Sequence, residues 1–242
     1  MIGTIINAVG IAAGSAWVLS RRPEGGKDFQ QAARLVLGVA IIWVGLSTAW
    51  GGFGGNFKHV LGQLGITLLS LSLGRITGRA MRIQKQFNHL GNLARKRFEA
   101  AATQRSPKTS IGEGLSTCSI LFCATPLSLL GAVLDGIALN SKPLLVKAAM
   151  DALAAASFTT VFGSGVLLTV IPLVAFQGSL TLLVRWAEPM LHRLDLVDSI
   201  SCVAGLLVFC VALVIFEIKR LEIANYLPSL AYAPLITWLV NR

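Results

Sequence analysis

The sequence predicts an all-α, polytopic helical membrane protein with seven or eight transmembrane spans, some of them kinked. Three observations carry that prediction. Hydrophobic residues make up 54% of the chain and charged ones only 13%, with a mean hydropathy of +0.70, whereas a soluble domain carries about 25% charged residues. The apolar residues fall into runs close to the ~20 residues that cross a bilayer. The bases, which bring the net charge to +10, gather between those runs. That is the positive-inside pattern of a membrane protein and not the spread of a nucleic-acid-binding surface. Residues 1–242 read as a single integral-membrane domain.

The first span, 2–20, carries Gly3, Gly10, Gly14 and Ser15, small residues that let another helix approach closely; Asn7 at that depth calls for a hydrogen-bonding partner. The polar link Arg21–Gln30 follows. The second span, 32–50, contains Trp43 and ends at Trp50, which reads as an interfacial anchor before the loop Gly51–Asn56. The third, 58–77, presents Gly62, Gly65, Ser70, Ser72 and Gly74, another close-packing surface.

A basic amphipathic connection covers 78–112. Ile76, Ala80, Ile83, Phe87, Leu90 and Ala94 recur at spacings of four and three, so they share one helix face. Arg75, Arg79, Arg82, Lys85, Arg95 and Lys96 lie off that stripe. Such a helix can rest on an anionic lipid surface through Arg79, Arg82 and Lys85, or serve only as a solvated connection that fixes topology. Ser106-Pro107 breaks it.

The fourth span, 113–135, has Pro126 in its middle and ends at Asp135-Gly136; the proline kinks the helix and frees a carbonyl near Phe122. The fifth, 143–161, follows Lys142-Pro143. Gly163-Ser164-Gly165 is then either a turn, giving eight spans, or a break within one helix, giving seven. The sixth, 165–184, holds Pro172 and Gln177-Gly178-Ser179, so Pro126, Gly163, Gly165 and Pro172 are the expected hinges or kinks. After a link of mixed charge over 185–198 come spans at 199–216 and 222–240, the last with Asn225, Pro228 and Pro234.

Orientation follows from the bases. With the N-terminus outside the cytoplasmic (inner) membrane, fifteen fall on the cytoplasmic side: Arg21, Arg22, Lys27, Arg34, those from Arg75 to Lys108, Lys219 and Arg220. Five fall opposite, at Lys58, Lys142, Arg185, Arg193 and Arg242, a bias that sets this topology. No signal peptide is expected, because the first apolar run starts at residue 2 with no basic segment before it.

The residue inventory bears on chemistry as well. Cys118, Cys123, Cys202 and Cys210 lie within apolar segments without a Cys-x-x-Cys, and His59, His89 and His192 lie in separate connections. Packing thiols are the reading, with no metal site, disulfide or cofactor expected. No zinc-protease, nucleophile-elbow, phosphate-loop or dinucleotide motif occurs, so the chain is not read as an enzyme.

What stands out is charge among oily residues, at a cost of roughly 2.5–3.5 kcal/mol each at a helix centre. Lys147 and Asp151 are four apart and share a helix face, and only a short link separates them from Asp135. Together with Asn7, Gln177 and carbonyls freed at Pro126 and Pro172, they make a candidate oxygen-rich site for Na⁺ or a proton near one membrane surface. The bland alternative is that Lys147 snorkels to the interface with Asp151 neutralising it, while Asp135 caps a helix end. The function expected is therefore a small-ion transporter or channel, the runner-up a non-transporting membrane scaffold or lipid-surface sensor. Expected partners are the bilayer, a monovalent cation and, for so short a chain, a second copy sharing the pathway.

Several strings also resemble a known family. Gly3-Thr4-Ile5-Ile6-Asn7 with Gly14-Ser15, Phe122-Cys123 with Gly131 and Asp135-Gly136, and Lys147-Ala148 with Asp151 occur in order. Gly163 and Gly165-Val166, Pro172 with Gln177-Gly178-Ser179-Leu180-Thr181, and Asn225-Tyr226-Leu227-Pro228 with Ala233-Pro234 complete the set. The run resembles the YqgA/YdfK-type bacterial inner-membrane family over nearly the whole chain. The resemblance implies a cytoplasmic-membrane protein without established biochemistry, for which a sodium channel or pump and a link to biofilm behaviour have been suggested. Family members often carry a polar residue before the Asp-Gly pair and a glycine after the acid of the fifth span. Leu134 and Ala152 stand there in this chain, making any site that used those places less polar.

Overall fold

A computed structural model describes residues 1–20, 27–104, 111–219 and 221–241. The expectations placed on Arg21, Arg22, Ser106, Pro107, Lys108, Arg220 and Arg242, and on the side chains of Lys27 and Arg34, lie outside them. The regular structure of the described residues is helical. It runs α1 (Ile2–Ser20), α2 (Lys27–Gly52), α3 (Phe57–Ala80), α4 (Ile83–Gln104), α5 (Ile111–Cys123), α6 (Pro126–Ile137), α7 (Lys142–Phe162), α8 (Val170–Arg193), α9 (Val197–Ile215) and α10 (Ser229–Val240). Short 3₁₀ turns at Gly163–Gly165, Leu167–Thr169 and Ile223–Tyr226 join some of them.

Seven of the helical segments are long and apolar enough to cross a membrane, and α5 with α6 forms a further pair bent by 62°. Their outer faces confirm the solvent. Leu61, Leu64, Leu68, Leu69, Ile171, Leu183 and Trp186 are all exposed, an apolar surface that water would not tolerate but lipid does.

Glycine contacts settle which helices lie together and in which direction. Gly3 faces Leu144, Gly10 faces the Ala148 carbonyl and Gly14 that of Ala152, so α1 and α7 run parallel with backbones nearly touching. Gly38 meets Phe216, Gly45 meets Phe209 and Gly52 meets Asp198, making α2 and α9 antiparallel. Gly74 and Gly78 sit against Ser229 and Asn225, which sets α3 beside α10. A Cβ added at Gly10 would stand 2.8 Å from the Ala148 oxygen, and Gly14 has even less room. We expect Gly14→Leu to cost about 1–3 kcal/mol through overpacking, seen as a lower thermal midpoint in detergent; an unchanged midpoint would mean that α1 and α7 do not meet here.

These directions give the bundle two faces. Arg75, Arg79, Arg82, Lys85, Arg95, Lys96 and Arg97, at the end of α3 and on α4, mark a basic face; Lys58, Lys142, Arg185 and Arg193 lie toward the opposite one. The α5 start lies at the basic face, with Gly114 against Phe162 and the Ile111 carbonyl against Gly165. The α6 end lies opposite, where Gly136 meets Val184. The bent pair therefore runs from one face of the bundle to the other, so the described residues hold up to eight segments fit to cross a membrane.

Where a continuous kinked helix over 113–135 was expected, the chain leaves helical geometry altogether between Cys123 and Pro126. Gly163 forms a turn, at φ +59°, a conformation that glycine adopts without strain. Pro172 is a correction: it does not kink a helix interior, because the 3₁₀ turns before it delay α8 to Val170, leaving the proline in a first turn where its missing N–H costs nothing. Two apolar clusters fill the core. One joins Ile41 and Val44 with Leu130, Leu134, Val203 and Leu207; the other joins Ile11 with Phe122, Ala155, Phe162 and Leu173. Nine of the twelve α6 residues are buried, Asp135 among them.

Candidate functional site

The broken span is built by a local signature. Pro126 begins α6 and Thr125 caps it, extended at φ −122°, ψ 142°, the conformation that a residue before proline prefers. Thr125 Oγ1 accepts the Ser128 N–H at 3.2 Å, satisfying one of the donors left free at a helix start. The α5 end closes with Ala124 N–H on the Ile120 carbonyl at 2.9 Å and Thr125 N–H on that of Cys123 at 2.9 Å. Two half-helices thus present a positive N-terminal end and a negative C-terminal end inside the bundle.

Beside this break the Lys147 ammonium donates to the Asp151 carboxylate. The pair belongs to the wall of a cavity of about 280 Å³ that also touches Thr125, Pro126, Met150 and Val211, and reaches Gln84, Leu221 and Ile223 at the basic face. The two partners are not equally covered: the Lys147 side chain is 3% exposed and that of Asp151 12%. Both side chains line the cavity, and the carboxylate is the more exposed of the two. Cys123 lies within the field of both charges, and Asn7 faces Asp151 from α1.

A second polar chain leads on toward the opposite face. Asn7 Nδ2 donates to Gln177 Oε1 at 3.3 Å, and Gln177 Nε2 donates to Ser128 Oγ at 2.7 Å, tying α1, α8 and α6 together. Thr181 Oγ1 donates to the Ala132 carbonyl at 3.3 Å. Further along α6, Asp135 is 2% exposed, with the Met1 amino group 2.9 Å from its Oδ2. That approach lies outside hydrogen-bond geometry, so Oδ2 has a charged neighbour but no hydrogen bond. Asn7 Oδ1 and Thr4 Oγ1 are likewise buried, with no hydrogen-bond partner among the described residues.

Of the five residues expected to gather, the structure joins Lys147 with Asp151 and Asn7 with Gln177, and brings Asn7 alongside Asp151. It does not bring Asp135 to them. The helices α6 and α7 run antiparallel, meeting where Gly131 faces Leu144. At 1.5 Å per residue, Asp135 and Asp151 lie on opposite sides of that contact, roughly 16 Å apart along the axis. The acids mark two depths of one polar seam, not a single cluster near one surface.

Sequence reasoning passed over Thr125, Ser128 and Gln84. Thr-Pro is a helix-start signature, and Ser128, Gly131 and Asp135 share one helix face, so two of the three had a signal. Gln84 had none: it matters because its N–H donates to Asn225 Oδ1 and its Oε1 accepts the Ala224 N–H, each at 3.0 Å. At the basic face Arg79 pairs loosely with Glu222 at 3.7 Å, and Arg82 makes the turn into α4 at φ +54°. The apolar face of α4 is partly spent on the protein, Ala94 being fully buried and Phe98 lying edge-on to Phe158 and Phe162.

Comparison with known proteins adds a frame. The sequence profile of a family described as "Protein of unknown function (DUF554)" matches residues 2–238. The chain is 28% identical over 242 residues to "Uncharacterized membrane protein YdfK" of Bacillus subtilis (strain 168), covering 100% of this chain and 97% of that protein. It is 25% identical over 239 residues to "Uncharacterized protein YqgA" of Escherichia coli (strain K12), covering 96% of this chain and 94% of that one. No solved structure matches it.

Proposed function

The chain belongs to the DUF554 family of membrane proteins, and from that premise we propose that it passes a small monovalent cation or a proton across the bacterial cytoplasmic membrane. The observation that carries this reading is the Lys147–Asp151 pair in the wall of a cavity of about 280 Å³, beside a helix broken within the membrane. A buried ion pair is often no more stabilising than a well-packed apolar replacement, so an ion pair in a cavity wall favours a role beyond packing. Half-helix ends beside buried charge are a recurrent way of holding an ion at mid-membrane. The cavity would admit the ion from the basic face, which positive-inside bias makes cytoplasmic with the N-terminus outside. The Asn7–Gln177–Ser128 link and Asp135 would then line the way to the other side.

Purified protein in liposomes tests this. An imposed gradient of Na⁺, K⁺ or H⁺ should drive flux above that of protein-free vesicles. If none of the three moves, the reading falls.

The basic face supports a second role, at the lipid surface. Arg82 and Lys85 stand at the junction of α3 and α4, beside Arg79. Each base near an anionic leaflet is worth about 1 kcal/mol. Nanodiscs with anionic lipid should raise the thermal midpoint of the protein over neutral nanodiscs, and joint Arg79→Gln, Arg82→Gln and Lys85→Gln substitution should erase that difference. An undiminished difference would remove these side chains from lipid binding.

A further inference from the structure

We infer that the site exchanges ions instead of merely passing them: a monovalent cation binds Asp151 only as Lys147 gives up its proton. This rests on the proposed passage of ions and specifies its coupling. Among the described residues, the cavity carries two charged side chains. Apart from Lys147 and Asp151, its lining residues, among them Gln84, Thr125, Leu127 and Met150, carry no charge. The neighbouring elements add little. From α1, α6 and α8 come the neutral Asn7, Ser128 and Gln177, and α5 offers the thiol of Cys123. The α9 wall is Val211, Val214 and Ile215. Asp135 lies two turns beyond Ser128 beside the Met1 amino group, and Glu222 is engaged with Arg79 at the surface.

Among the described residues, the buried site therefore holds one negative and one positive charge and is neutral. A cation entering with Lys147 still charged would leave the cavity with an excess positive charge in a low-dielectric surrounding, which is unfavourable. One exchange preserves the balance. The Lys147 ammonium releases a proton to cavity water and becomes a neutral amine, and the cation takes its place against the Asp151 carboxylate. One positive charge enters and one leaves, and no bond other than the N–H is broken. Asn7 Oδ1, buried and without a donor among the described residues, and the half-helix carbonyls beside Cys123 are oxygens of the kind that Na⁺ takes.

The partners also differ in the way that exchange requires. An ammonium on a flexible four-carbon stem can lose its proton where a guanidinium cannot. Asp151, the more exposed of the two, is the one that an arriving ion meets.

The test uses the full chain in detergent, in weakly buffered solution with a pH-indicator dye. Addition of NaCl or KCl, against choline chloride, should release about one proton per protein, and ²²Na⁺ binding should tighten with rising pH by up to about tenfold per unit. Lys147→Arg keeps the ion pair but cannot give up a proton at these pH values; it should neither release protons nor bind the cation. Cation binding by the native protein without proton release, or native-like release from Lys147→Arg, would overturn the exchange. Flux in liposomes that persists alongside such a result would leave the passage reading standing, whereas absence of both binding and flux would remove the two together. The double substitution Lys147→Gln with Asp151→Asn, neutral throughout, separates loss of binding from loss of fold.

Discussion

Protein carrying Asp151→Asn is expected to show no cation flux above protein-free liposomes and to lose a large part of its thermal stability. The two losses have different causes. The amide cannot balance the Lys147 ammonium, which is 3% exposed, and removing one partner of a buried pair costs about 3–5 kcal/mol. Flux is lost because the only carboxylate among the described residues that line the cavity is gone. Adding Lys147→Gln removes the stranded charge, so the double variant should recover most of its thermal midpoint while flux stays at background. Recovery of flux along with stability would show that the pair serves only the fold. Wild-type flux from Asp151→Asn alone would disqualify the site.

The second large effect concerns the broken span. Thr125→Ala with Pro126→Ala removes the cap and restores the missing N–H, so α5 and α6 can fuse. Loss of the cap weakens the α6 start by about 0.5–2 kcal/mol, and alanine favours a helix interior over proline by about 3 kcal/mol. Straightening a 62° bend displaces Thr125, Pro126 and Leu127, which line the cavity. Flux should fall at least roughly tenfold, a factor that needs only about 1.4 kcal/mol on the barrier, while the Lys147–Asp151 pair stays intact. Native flux from this variant would show that the break is incidental to the passage.

The membrane class and the pairing of Lys147 with Asp151 on one helix face were legible because each depends on composition or on spacing within one helix. A four-residue separation places an amine and an acid on the same face whatever the rest of the chain does. Asp135 shows the limit. Its closeness to Lys147 in sequence suggested closeness in space, but the antiparallel course of α6 and α7 carries the acids apart. Pro126 and Pro172 show another. Within an apolar run a proline reads equally as a kink or as a first turn, and only neighbouring backbone decides: Thr125 as a cap in one case, the 3₁₀ turns from Gly163 in the other.

The α4 helix was ambiguous for a related reason. An apolar stripe with bases beside it fits lipid and protein alike, and part of the stripe lies on Phe158 and Phe162. The cavity had no signature at all. It arises where α4, α7, α9 and the broken span fail to close on one another, which is a property of their packing and of no single segment.

Water access to the buried pair is the point on which the whole account turns, and site-directed labelling reads it directly. With Cys118, Cys123, Cys202 and Cys210 replaced by alanine, Met150→Cys places a thiol in the cavity wall beside Lys147 and Asp151. A membrane-impermeant thiol reagent should modify it from the basic face and not from the opposite face. A thiol that stays unmodified from both faces until the protein is unfolded, while Lys85→Cys on the basic face reacts normally, would contradict the account.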